Sequence, residues 1–102
     1  MNDANFTKIY NRLNIYFDCA GIGPEQVIKP VIKKSPQGLS YYVDLCIEDY
    51  DEEQLAYFVG FLTEALGGFK NIWFDTYPKS GRATLELVFP EESLKRMLVV
   101  TY

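Results

Sequence analysis

The residues of this chain that could do chemistry are its carboxylates, two thiols and eight tyrosines, because the sequence contains no histidine. Histidine is the usual general acid or base near neutral pH, so Ser-His-Asp and Cys-His mechanisms are excluded. Cys19 and Cys46 stand far apart with neither histidine nor another cysteine beside them, which leaves no zinc site and no redox Cys-x-x-Cys pair. Asp75 and Glu86 fall on one face of an expected hairpin, and two carboxylates are what glycosidic chemistry needs. Solvent-facing strand charges are the simpler reading of that pair. Gly21-Ile22-Gly23-Pro24 is too short for a dinucleotide fingerprint and follows a helix rather than a strand, so it reads as a helix stop. Asp49-Tyr50-Asp51-Glu52-Glu53 lacks the oxygen spacing and central glycine of a calcium loop. The expectation is a chain with no catalytic residues, no cofactor and no metal.

The charge distribution is more informative. Between Lys34 and Lys70 there is no basic residue, yet the stretch holds Asp44, Glu48, Asp49, Asp51, Glu52, Glu53 and Glu64, half of the fourteen acids. The formal net charge of -4 therefore divides into a strongly acidic middle and a mildly basic remainder, and the folded protein should have one acidic end. Basic residues are scattered, with Lys33-Lys34 and Lys95-Arg96 the only adjacent pairs, and the pI near 4.7 opposes binding to phosphate backbones.

These residues are placed by a regular succession of elements. Phe6, Ile9, Tyr10, Leu13, Tyr16, Phe17 and Ala20 follow three-and-four spacing and predict a helix over about 4 to 19, with Asp3 or Asn5 available as its cap. Residues 27 to 34 and 39 to 48 predict a hairpin around Ser35-Pro36-Gln37-Gly38. Its expected register sets Ile28, Pro30 and Ile32 against Leu45, Val43 and Tyr41 on the buried side and Lys29 against Asp44 outside, although Pro30 argues for an edge strand or a bulge. Asp51, with Gln54 three residues on, signals a capping box for a second helix; Leu55, Phe58, Val59, Leu62, Ala65 and Leu66 form its core arc. Tyr57, Phe61 and Glu64 make a second stripe on it.

Residues 71 to 77 and 82 to 89 predict another hairpin around Pro78-Lys79-Ser80-Gly81. Ile72, Phe74 and Thr76 should share the buried face with Ala83, Leu85, Leu87 and Phe89, which leaves Trp73 outward. Pro90-Glu91-Glu92 opens a short helix to about Met97, and 98–102 either extends it or forms a last strand. The two turns begin 43 positions apart, which suggests internal duplication. The reading is one α+β domain over 1–102: two layers, a mainly antiparallel four-stranded sheet built from two hairpins, helices on one face, in the order α-ββ-α-ββ-α. The N-terminus has neither the basic start nor the apolar core of a signal peptide, and no apolar run spans a bilayer, so a cytoplasmic location is expected.

Capping and the helix dipole explain Asp51, Glu52 and Glu53. They leave Asp44, Glu48 and Asp49 interleaved with Tyr42, Tyr50 and Tyr57. Tyrosines bring contact area at low entropic cost and carboxylates steer a cationic partner, so Tyr42, Asp44, Glu48, Asp49, Tyr50, Asp51, Glu52, Glu53, Tyr57 and Phe61 are the candidate partner-binding residues. The functional expectation is a small acidic inhibitor that occludes a basic protein, with one that handles nucleic acid as the expected class, and no direct binding to nucleic acid or membrane. Toxin-neutralising immunity proteins and phage-encoded inhibitors of host defence offer a likeness of size and acidity. The alternative is a non-enzymatic structural or chaperone-like module that forms a homodimer through the Tyr57/Phe61 stripe or an exposed strand edge.

Overall fold

A computed structural model describes residues 4–38, 40–90 and 92–93. Helix α1 (Ala4–Cys19) leads through a 3-10 turn (Pro24–Gln26) to strands β1 (Val27–Lys34) and β2 (Ser40–Glu48). Helix α2 (Glu52–Leu66) leads through a second 3-10 turn (Phe69–Asn71) to β3 (Ile72–Tyr77) and β4 (Arg82–Pro90). Among the described residues all strand pairs are antiparallel and the order is β1-β2-β4-β3, so the second strand of each hairpin joins its counterpart between β1 and β3. Both helices pack on one face. This is the expected α+β two-layer architecture, with four strands among the described residues.

Each helix forms where the apolar spacing directs it. Ile9, Leu13 and Phe17 are the buried line of α1, with Phe6 and Tyr16 packed beside it; Tyr10, assigned by spacing to the same arc, lies at the exposed margin. Asn5 is inside the helix rather than at its cap, and its Nδ2 donates to the Tyr41 hydroxyl at 3.0 Å. Gly21 takes φ +76° after the last turn, and the Ile22 amide donates back to the Phe17 carbonyl at 2.8 Å while the Ile22 side chain is buried. In α2 the capping box forms as the spacing requires. Asp51 accepts from the Glu53 amide, and Gln54 Oε1 accepts from the Asp51 amide at 3.0 Å.

Gln54 does more than cap. Its Nε2 donates to the Gly21 carbonyl at 2.7 Å, and its Oε1 also accepts from Gln26 Nε2 at 3.2 Å. Gln26 Nε2 reaches the carbonyls of Glu48 and Asp49 as well. Two glutamines thus tie the end of α1, the start of β1, the end of β2 and the start of α2 into one joint.

The core lies between the helices and the inner row of the central strands: Tyr41, Val43, Leu45 and Ile47 from β2, and Ala83, Leu85, Leu87 and Phe89 from β4. Phe17 stacks on Phe58 with ring centroids 4.6 Å apart, and Tyr16 on Phe61 at 5.9 Å, so aromatic pairs join α1 to α2. Phe61 is therefore half-buried in the helix–helix contact, a correction to its expected place on an outward stripe. Tyr57 does remain outward, 61% exposed.

The first hairpin differs from the expected register. Ser35 and Ser40 close the ladder, with the Ser35 amide donating to the Ser40 carbonyl at 2.9 Å, so the loop starts at Pro36 and not at Ser35. Ile32 then faces Val43, and a bulge between Ile28 and Val31 turns the rest of the strand over. Val27 points inward, whereas Ile28 lies on the outer face opposite Cys46 and Val31, not Lys29, lies opposite Asp44. Pro30 sits in that bulge, and β1 is an edge strand among the described residues, a place where a residue without an N–H interrupts no internal ladder. The second hairpin pairs as expected, Phe74 with Leu85 and Ile72 with Leu87, but its first strand is not buried: Ile72 is half-buried, and Phe74 and Thr76, expected on the buried side, are exposed because the core lies over the central strands β2 and β4.

The two halves repeat. Pro36 and Pro78 begin equivalent loops, Gly38 and Gly81 both adopt left-handed geometry, and each half reads helix, 3-10 turn, hairpin. Pairing of β2 with β4 relates the halves by an approximate twofold axis that passes between Asp44 and Glu86, residues 42 positions apart that face each other. Of the short C-terminal helix, Glu92 and Ser93 are helical; the remainder of that helix and 98–102 lie outside the described residues.

Substituting Gln54→Ala removes the reciprocal cap and the bond to Gly21 together. It should cost about 1–2 kcal/mol of unfolding free energy with an unchanged denaturant slope, measured by urea titration of wild type and variant.

Candidate functional site

The helix layer covers one face of the sheet, and among the described residues no element covers the opposite, open face. In an antiparallel sheet of this kind the solvated face normally carries polar side chains. Here it holds Ile28, Val31, Tyr42, Trp73 and Tyr77, each between 44% and 53% exposed. Four strands position them. Reading across from β1 to β3, one row runs Val31, Asp44, Glu86, Trp73, and the next Ile28, Cys46, Thr84, Asp75. Tyr42 pairs with Val88 on one side of these rows, and on the other Glu48, Arg82 and Tyr77 close the face.

The electrostatics are unbalanced at the centre. Asp44 and Glu86 are direct cross-strand partners, and like charges placed opposite each other destabilise a sheet. Asp75 lies one row away. Glu48 meets Arg82 at 3.5 Å, with both side chains substantially exposed, so that pair is a weak surface bridge. Among the described residues no basic side chain pairs with Asp44, Asp75 or Glu86. Cys46 lies between these charges: burial pushes its thiol up, Arg82 draws it partly back down, and Glu48 adds a smaller upward push.

The sequence-based candidates are distributed over three places. Tyr42, Asp44 and Glu48 lie on the open face. Asp49, Asp51, Glu52 and Glu53 form an exposed acidic rim at the end of the sheet where β2 turns into α2; Asp49 there has φ +49° and packs against Gly81 of the opposite turn. Tyr50 turns from that rim toward the core and, with Glu52, lines a groove between α2 and β3. Tyr57 and Phe61 belong to the helix layer, on the far side of the sheet from Tyr42. One partner surface cannot include both Tyr42 and Tyr57 without wrapping around the domain.

Trp73, Tyr77, Asp75, Glu86, Val31 and Ile28 complete the open face and were not among those candidates. Alternation turns Trp73 outward and sets Asp75 and Glu86 on one face of their hairpin. Nothing in the alternation joins that face to Tyr42 and Asp44, because the join depends on β2 lying beside β4. No protein-family model matches the chain, and neither a curated protein nor a solved structure does. No cluster of three or more metal-ligating side chains occurs among the described residues, and no helix there is long and apolar enough to cross a membrane.

Two outcomes follow from this geometry. Replacing Asp44 or Glu86 with threonine should stabilise the isolated protein by about 0.2–1 kcal/mol, by an amount that shrinks as salt is added, measured by thermal unfolding at several ionic strengths. The raised thiol value at Cys46 belongs to the folded state, so its contribution to stability is present below the ordinary thiol range and is lost as pH rises through the folded value. Melting temperature should therefore fall on the alkaline side, and Cys46→Val should flatten that fall.

Proposed function

We propose that this chain is a small acidic protein-binding inhibitor that lays its open sheet face over a basic surface and blocks it. The carrying observation is the opposed pair Asp44 and Glu86 at the centre of that face, framed by Tyr42, Trp73 and Tyr77 and unmatched by any described cation. Such a face has a cost in isolation that a cationic partner removes, since charges unfavourable in the free sheet become attractive across the contact.

The division of labour is physical. Carboxylates at the centre, with the rim of Asp49, Asp51, Glu52 and Glu53 beside them, attract a basic partner over a distance of about a Debye length, roughly 8–10 Å at ordinary ionic strength. Tyr42, Trp73 and Tyr77 then supply desolvated area, and aromatic anchors of this kind dominate interface energies. A nucleic-acid-handling protein fits best as the partner class, because its basic groove is built to receive a row of negative charges and would be covered by this face. Inhibition is by occlusion and needs no chemistry from this chain.

The test immobilises the protein, exposes it to extract from its native source at low and moderately high salt, and identifies what is retained. The reading expects a basic partner that elutes as salt rises and is lost from the D44K/E86K variant. A partner held equally by wild type and D44K/E86K would move the site off the open face, and retention insensitive to salt would remove electrostatic occlusion altogether.

A further inference from the structure

The row that crosses the centre of the open face is symmetric in charge and asymmetric in its rings. Val31, Asp44, Glu86 and Trp73 lie side by side on four neighbouring strands, and the approximate twofold axis between Asp44 and Glu86 exchanges Val31 with Trp73. Both carboxylates are exposed, and Trp73, the one tryptophan of the chain, is 53% exposed beside Glu86. Directly opposed residues of an antiparallel pair hold their Cβ atoms about 5 Å apart, so both acids and the indole are within reach of one planar group. Tyr42 adds an exposed ring two residues from Asp44 along β2, and Asp75 follows Trp73 on the same face of β3. Two like charges and an uncovered aromatic face therefore meet at one place, and no described cation occupies it.

We propose that this row receives an arginine side chain of the partner and selects arginine over lysine. The inference rests on the reading of the open face as the partner surface and adds the group that the face recognises. Charge complementarity between the row and a basic surface asks only for a cation. The indole asks for more. A guanidinium donates N–H groups from the edge of its plane and presents a weakly hydrated face that stacks on an aromatic ring. Its five donors let one side chain serve both carboxylates of an opposed pair at once. An ammonium is a compact, strongly hydrated point charge, so it can approach Asp44 and Glu86 but gains less from Trp73.

The asymmetry of the row fixes the side on which the arginine lies. Val31 offers no aromatic face, so the guanidinium sits over Glu86 toward Trp73, and the Val31 end is an apolar margin. A phosphate-binding groove suits this receptor, because arginine is the residue that meets planar, bidentate acceptors there.

The probes are two octapeptides of equal charge, one alternating glycine with arginine and the other glycine with lysine. Each is titrated into the full chain and followed by NMR through the backbone amides of β2 and β4 and the single indole N–H. The arginine peptide should bind about five- to tenfold more tightly at the same ionic strength and should shift the indole resonance. W73L should abolish that preference and leave binding of the lysine peptide in place, whereas V31A, at the symmetry-related end, should keep the preference intact. D44N/E86Q should weaken both peptides. The comparison of the two peptides on the wild type stands even where W73L perturbs folding. Equal, salt-sensitive affinity for both overturns this inference and leaves electrostatic occlusion standing. An arginine preference that survives W73L also overturns it, since the acidic rim or another surface then makes the choice. If neither peptide binds, the open face is not a cation-binding surface, and the proposed function falls with the inference.

Discussion

The pairing of β2 with β4 is the contact on which the rest of this structure depends. Two helix–hairpin halves, each too small to enclose a core, meet along nine consecutive residue pairs from Ser40–Pro90 to Glu48–Arg82. On the inner side that seam sets Tyr41 against Phe89, Val43 against Leu87, Leu45 against Leu85 and Ile47 against Ala83, all buried. Both helices then have a common floor, and Phe17 on Phe58 closes the layer above it. Hydrophobic burial is the dominant favourable term in folding, and here most of it is available only once the halves have joined. The hairpins and helices are local, whereas the core is not.

The same seam creates the acidic face. On the outer side it aligns Asp44 with Glu86 near the approximate twofold axis, an arrangement neither half contains alone. Repetition with alternate residues outward makes such a coincidence direct: equivalent positions of two related halves meet at their shared axis, and if both are acidic, they repel. The helix layer cannot relieve this, being on the other side of the sheet. Side chains from all four described strands surround the pair, so this unbalanced charge lies among the exposed aromatic residues Tyr42, Trp73 and Tyr77.

Much of the local structure was legible in the residues because its causes are local. Asp51 and Gln54 form their reciprocal cap within a single turn, so spacing alone suffices. The Phe74–Leu85 register follows from a short turn and period-two alternation. The first hairpin was harder, since its loop begins one residue later than the turn residues suggest and Pro30 inserts a bulge that reverses Ile28. A bulge changes every face assignment beyond it, which is why the outer position opposite Asp44 belongs to Val31. Phe61 shows the complementary limit: a wheel places it off the main arc of α2, but only the packing of α1 shows that Tyr16 covers it.

Local preferences suffice for the run of helices and strands, the capping box of α2, the inward and outward sides of most strands and the concentration of acid in the middle of the chain, because hydrogen-bonding and solvation preferences of neighbouring residues act within a few positions. Tertiary structure alone decided the strand order, and with it the open face. Tyr42 and Asp44 share a surface with Trp73, Asp75 and Glu86 only because β2 and β4 are neighbours, whereas Tyr50, Tyr57 and Phe61, close to them in the chain, are carried to the groove and the helix layer. Proximity along the chain places charges in one segment. Which of them share one face is set by the burial that the two halves can achieve only by joining at that seam.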